Sequence, residues 1–202
     1  MAASNVPRLF IPGHFLLTVL LAMLSTGCEL FAEELPETRE PREFFFTQTF
    51  GDLPEELEEA RQTGKLGIFL FFEQEGCDFC ARMMQSVLNQ RQVQEWYSER
   101  FVNIAVDIRG DVELRDVDGI TLPSKVFAEH RKVKFTPVMS FLDLNGVEVF
   151  RKSGMVADPE KFLLMGSYIA EQRYTDTPFR DYLAEKGLDS SGQALKTPAH
   201  DN

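Results

Sequence analysis

Cys77-Asp78-Phe79-Cys80 constrains this chain more than any other feature, because the two cysteines stand between an apolar run, Leu66 to Phe72, and a helical stretch from Ala81. Cysteines three positions apart in a first helical turn can close a small disulfide, and the helix N-terminus stabilises the thiolate. A pair so placed reads as a site of thiol-disulfide exchange. The run before it is apolar on both faces, as in a central strand covered by helices on each side.

The flanking sequence punctuates itself. Asp52-Leu53-Pro54-Glu55 opens a helix that should run to about Thr63 and stop at Gly64. Val93 to Ser98 reads as a further helical piece, and Phe101 to Val106 as a strand ending at Asp107. Ile108 to Leu122, with Asp111, Glu113, Asp116 and Asp118, reads as a solvated loop or small hairpin. The sharper alternative, a calcium loop, lacks the bidentate Glu of a regular EF-hand.

Ser124 to His130 makes a short helix, Thr136-Pro137 opens the strand Val138 to Leu142, and Asn145-Gly146 predicts a two-residue hairpin turn before Val147 to Phe150. Asp158-Pro159-Glu160 caps a helix to about Tyr174, and Thr177 to Lys186 can add an amphipathic one with Phe179, Tyr182 and Leu183 toward the core. Alternating strand and helix imply an α/β sheet.

The N-terminus reads as an export signal over residues 1–27, with Arg8 before the apolar stretch Phe15 to Leu24, which is too short to span a bilayer. Leu24-Ser25-Thr26-Gly27-Cys28 resembles the lipobox of bacterial lipoproteins, in which Cys28 would be acylated; the alternative is an ordinary cleaved signal with Cys28 a free thiol. Glu29 in the next position argues, by resemblance to bacterial sorting rules, against inner-membrane retention. Residues 28–43 are acidic, contain Pro36 and Pro41 and read as a tether, with order beginning near Phe44. The domain would span 44–174, followed by a C-terminal helix and disordered tail over 175–202. A net charge of −11 repels phosphate backbones and gives no reason to expect nucleic-acid binding.

The element order, with CxxC after the first core strand and a proline opening the strand before the hairpin, resembles the thioredoxin fold: α/β, a central mixed sheet flanked by helices, with an insertion before the cis-Pro strand. More narrowly, residues 44–174 resemble the SoxW-type periplasmic thioredoxins. The residues that carry this are Phe72-Glu73-Gln74-Glu75-Gly76-Cys77, the Asp107 to Leu122 insertion, Lys134-Phe135-Thr136-Pro137, Phe141-Leu142-Asp143 and Asn145-Gly146.

The resemblance implies that Cys77 is the nucleophile and Cys80 the resolving thiol. It implies that Thr136-Pro137 is a cis peptide beside them, holding a backbone edge open to an extended substrate. Asp78, Phe79, Thr136 and Pro137 would contact substrate. The protein implied is a periplasmic monomer, lipid-anchored at Cys28 with the outer membrane favoured. It would act on disulfide-bearing periplasmic proteins and take electrons from a membrane thiol donor, with no cofactor beyond the Cys77-Cys80 disulfide and no metal.

Departures from thioredoxin proper are specific. Gly76 replaces the Trp before the motif, Asp78-Phe79 replaces Gly-Pro within it, and Phe71 and Asn103 fall where a buried Asp and Lys would relay protons. Glu73 is the nearest substitute base, against the alternative of a solvated carboxylate at a strand end. The helix N-terminus lowers the pKa expected for Cys77, whereas Asp78, Glu73 and Glu75 raise it, toward the thioredoxin value of about 7 rather than about 3.5. That predicts a reductant with a potential near about −270 mV rather than about −120 mV. An isomerase is the runner-up within this chemistry; a copper(I)- or zinc-handling metallochaperone and a non-catalytic adaptor are the readings from other classes.

Overall fold

The computed structural model describes residues 37–189, and order begins before Phe44, within the stretch expected as a tether. The backbone N–H of Arg39 donates to the Asn89 carbonyl and that of Arg91 to the Glu37 carbonyl, both at 2.8 Å. Pro41–Phe44 then forms a short helix, α1, with Glu40 as its N-cap. The physical reason lies just beyond: Phe45 and Phe46 are buried, and a backbone drawn into a core must find partners for its polar groups. The export signal, Cys28 and the tail from residue 190 lie outside the described residues.

The helix α2, Leu53–Thr63, ends where its punctuation places it: the Asp52 carboxylate accepts from the Glu55 N–H at 3.1 Å, and Gly64 closes it in the left-handed region. In chain order the strands are β1 (Gly67–Glu73), β2 (Val102–Asp107), β3 (Glu113–Arg115), β4 (Thr121–Pro123), β5 (Val138–Asp143) and β6 (Glu148–Ser153). The remaining helices are α3 (Asp78–Met83), α4 (Arg91–Ser98), α5 (Ser124–His130), α6 (Pro159–Ala170) and α7 (Phe179–Glu185).

The main sheet has the order β2-β1-β5-β6, with β1 parallel to β2 and antiparallel to β5, and β5 antiparallel to β6. Because successive side chains alternate, β1 sends Phe69 and Phe71 to one face and Ile68, Leu70 and Phe72 to the other. The first face packs against α3, α4, α6 and α7, the second against α2 and α5. The sheet is thus mixed and covered on both sides, as the α/β reading required. Helix α6 approaches α4 closely: a Cβ on Gly166 would stand 2.3 Å from the Trp96 ring, so the close contact requires glycine.

The charged insertion forms the β3–β4 hairpin and is tied to the start of α2, with the Arg115 N–H donating to the Gly51 carbonyl at 2.7 Å and its guanidinium pairing with Asp52 at 3.0 Å. Two of its acidic residues find cations: Asp111 pairs with Lys125 at 2.5 Å, and Asp116 with Arg131.

Two expectations need correction. The turn after β5 has three residues, not two: the Asp143 N–H donates to the Val147 carbonyl and the Gly146 N–H to the Asp143 carbonyl, both at 2.9 Å. Gly146 takes φ 76° while Asn145 keeps a negative φ, because the Asp143 carboxylate accepts from the N–H groups of both Asn145 and Val147. Helix α6 stops at Ala170 rather than Tyr174; Gln172 turns left-handed, and a 3-10 turn over Arg173–Thr175 leads into α7, whose Tyr182 and Leu183 are buried.

Candidate active site

Helix α3 begins at Asp78, earlier than the expected Ala81, so the two cysteines belong to its first turn. Cys77 is the N-cap: its backbone is extended, and its Sγ accepts from the Cys80 N–H at 3.1 Å. An N-cap orients its side chain over donors that have no partner within the helix, which favours negative charge on it. Cys77 and Cys80 form a disulfide with their Cα atoms 5.2 Å apart. The helix continues into a π-turn over Met84–Leu88, which buries Val87 and Leu88.

The two sulfurs differ in environment. Cys80 is 3% exposed and lies in the cluster that contains Phe69, Phe71 and Met139, whereas Cys77 is half-buried at its margin. Attack from outside therefore falls on Cys77. Asp78 is exposed beside it, and Phe79, also exposed (55%), carries the Arg82 guanidinium over its ring at 5.7 Å.

The Thr136-Pro137 peptide is cis. The register pairs Phe72 with Val138, so Pro137 stands at the same end of the sheet as the segment running from Glu73 to Cys77. Its carbonyl accepts from the Gly154 N–H at 2.9 Å, which joins the turn after β6 to this edge. Phe135, two residues before the proline, is 59% exposed, a second aromatic ring presented at this end of the sheet.

The positions where thioredoxin proper would place its relay are occupied differently. Phe71 is fully buried in the Cys80 cluster, and Asn103 is fully buried with its amide donating to the Phe45 carbonyl at 3.1 Å. Its side-chain oxygen has no hydrogen-bond partner among the described residues. Glu73 follows Phe71 by two positions and so continues the same face of the sheet. Its side chain is only 12% exposed and pairs with Arg42 at 2.5 Å, which corrects the alternative of a solvated carboxylate.

Of the residues singled out in the sequence, Cys77, Cys80, Asp78, Phe79, Thr136, Pro137 and Glu73 gather at one end of the sheet; Cys28 lies outside the described residues. Arg42 and Phe135 were not assigned roles from sequence. Phe135 carried a signal, an aromatic residue beside Thr136-Pro137. Arg42 carried none, since it lies in an acidic stretch without periodicity.

A buried and a half-exposed cysteine, bonded at the start of a helix that follows a central strand, make a thiol-disulfide oxidoreductase in a thioredoxin-like fold. The thioredoxin-like domain family matches residues 53–170, more than half of the chain, and the chain belongs to that family. No curated protein matches it.

Among solved structures, the fold is similar to a thioredoxin-fold protein from Helicobacter pylori, 22% identical over 71% of this chain and 88% of that one, with a TM-score of 0.53. A proposed disulphide-isomerase from Bacteroides thetaiotaomicron is 23% identical over 62% and 92% of the two chains, TM-score 0.48. The oxidised C-terminal domain of DsbD from Neisseria meningitidis is 18% identical over 56% and 88%, TM-score 0.42.

Proposed function

We propose that the protein reduces disulfides in other proteins outside the cytoplasm, as a SoxW-type thioredoxin held to a membrane, the outer membrane favoured, by a lipid on Cys28. The asymmetry of the two cysteines carries this reading: a half-exposed N-cap sulfur backed by one that is 3% exposed. The Cys77 thiolate attacks a substrate disulfide, forming a mixed disulfide and releasing one substrate thiolate, which takes a proton. Cys80 loses its proton and attacks Cys77, which releases the second substrate thiol and leaves the Cys77-Cys80 disulfide. The two electrons gained by the substrate come from the dithiol, so a membrane thiol donor must restore it for each turnover.

Glu73 is the base for Cys80 in this scheme, as the shielded carboxylate on the Cys80 face of the sheet. Asp107, its neighbour in register across β2, is exposed. Phe79 and the edge at Thr136-Pro137 receive the substrate chain, with Phe135 adding apolar surface. Asp78 places negative charge beside Cys77, which favours a reductant over an oxidant.

Reduction of insulin disulfides tests the reading. Wild-type protein is expected to catalyse it, Cys77→Ser to abolish it, and Cys80→Ser to accumulate mixed disulfides that identify the physiological substrates. A measured potential near about −270 mV supports the reductant, and one near about −120 mV reverses the direction of the chemistry. Wild-type protein without activity would return the site to the adaptor reading, and full activity in Cys77→Ser would take the chemistry away from this cysteine.

A further inference from the structure

Arg42 lies in α1, within the acidic stretch that precedes the matched domain, and yet it reaches the redox end of the sheet. Its guanidinium pairs with Glu73 at 2.5 Å and lies over the Phe46 ring at 5.7 Å. Phe46 in turn packs against Phe71 with ring centroids 5.8 Å apart, and Phe71 shares its cluster with Cys80. The cation is therefore fixed at two points, on the carboxylate and on the aromatic layer beneath the disulfide.

A carboxylate as shielded as Glu73 holds its charge at a cost unless a counter-charge stands beside it. The other charged groups at this place do not supply one. Glu75 follows in the loop and Asp107 ends β2, and together with Gln74 they line the same pocket, of about 330 Å³, as Arg42 and Glu73. Among the residues lining it, Arg42 is the cation facing three carboxylates. Its own side chain is 55% exposed, so it stands at the margin of the fold and can be changed without opening the core.

We propose that Arg42 is a positioning residue for the proton transfer at Cys80: it holds the Glu73 carboxylate in place at the sheet end, where it can accept the Cys80 proton. This rests on the assignment of Glu73 as that base. In the step, the Cys80 S–H bond breaks, the proton passes to the Glu73 carboxylate, and the sulfur lone pair forms the bond to Cys77 as the substrate sulfur leaves.

The test is the pH dependence of the single-turnover rate at which Cys80 resolves a preformed mixed disulfide, in full-length protein. Glu73→Gln is expected to slow this step by about tenfold or more and to change the shape of the profile. Arg42→Met is expected to change the shape of that profile, and not only its height, because the carboxylate then lacks its cation. Arg42→Lys should restore the wild-type profile, and Arg42→Met combined with Glu73→Gln should match Glu73→Gln alone.

If Glu73→Gln alters the profile and both Arg42→Met and Arg42→Gln superimpose on wild type, the role of Arg42 is overturned and the relay stands. If Glu73→Gln superimposes on wild type, the relay itself fails, and the role of Arg42 with it. A uniform slowing by Arg42→Met at every pH, unrepaired by lysine, would mark a structural contact and overturn the proposal.

Discussion

On the disulfide side of the central sheet, Phe45, Phe69, Phe71, Phe141, Tyr97 and Phe162 build a layer of rings, and every methionine among the described residues (Met83, Met84, Met139, Met155 and Met165) packs there. The opposite side is largely aliphatic, with Leu53, Leu57, Ile68, Leu70, Val102, Ile104, Val106 and Val138 against α2 and α5, and Phe72 stacked on Phe127. Branched side chains hold few rotamers and fix strands against helices. Thioethers adapt their contacts more readily and aromatic rings bring large contact area, and both pack on the side of the helix whose first turn must break and remake a bond. One side is built to hold the sheet, the other to hold it while chemistry proceeds.

The largest effect should distinguish the layers directly. Phe162 stacks on Tyr97 with centroids 4.3 Å apart and touches Phe45 and Phe69, so Phe162→Ala should cost about 4 kcal/mol, against about 3 kcal/mol for Leu70→Ala on the other side. Urea unfolding measures both, and a larger loss at Leu70 would break the contrast.

A smaller effect concerns the attachment of α2. The Glu55 N–H and the Arg115 guanidinium hold the Asp52 carboxyl below its usual range. Asp52→Ala should cost about 1 kcal/mol at neutral pH. A lowered folded-state pKa gives stability that is present above the unfolded value and lost as pH falls through the folded one. The difference between variant and wild type should therefore narrow below about pH 4; a gap that persists at pH 2 would mean that packing, and not the cap, sets it.

The smallest effect runs in the opposite direction. Burial pushes Glu56 up despite the hydroxyl bond from Thr49, and one of its carboxylate oxygens has no hydrogen-bond partner among the described residues. A raised folded-state pKa favours the folded state at low pH, and that contribution is lost as pH rises through it. Glu56→Gln should therefore stabilise the protein at pH 7 by less than about 1 kcal/mol and lose its advantage below about pH 4. Thermal unfolding at the two pH values reads the sign, and destabilisation at neutral pH would show that the charge itself is used.

Elements set by local chemistry were legible in the sequence. Asp52 and Gly64 bound α2, Asp158 caps α6, and the doubly buried run of β1 led to Cys77 and Cys80, because caps, periodicity and spacing are properties of neighbours in the chain. What escaped depends on residues far apart. Nothing near Arg42 announces Glu73, which lies across a loop and a helix, and nothing in Glu37 to Glu40 announces Asn89 and Arg91. The hairpin after β5 was misjudged by one residue because the Asp143 side chain competes for the backbone donors of the turn. The π-turn after α3 has no pattern of its own and follows from the side chains it buries.

The bridge between Glu37–Arg39 and Asn89–Arg91 also decides how the domain would bear load. Any pull arriving along the chain from the N-terminal side meets first the two backbone hydrogen bonds at Asn89 and Arg91, beside the bond from Arg39 to Gln94 at 2.8 Å. Only after these part can tension reach α1 and the Arg42–Glu73 contact, and only then the edge of the sheet, where the Thr47 N–H donates to the Asn103 carbonyl at 2.7 Å. The strap is thus the first contact that such a pull would load, and it is anchored at Asn89 and Arg91, just beyond the helix and π-turn that begin at Cys77.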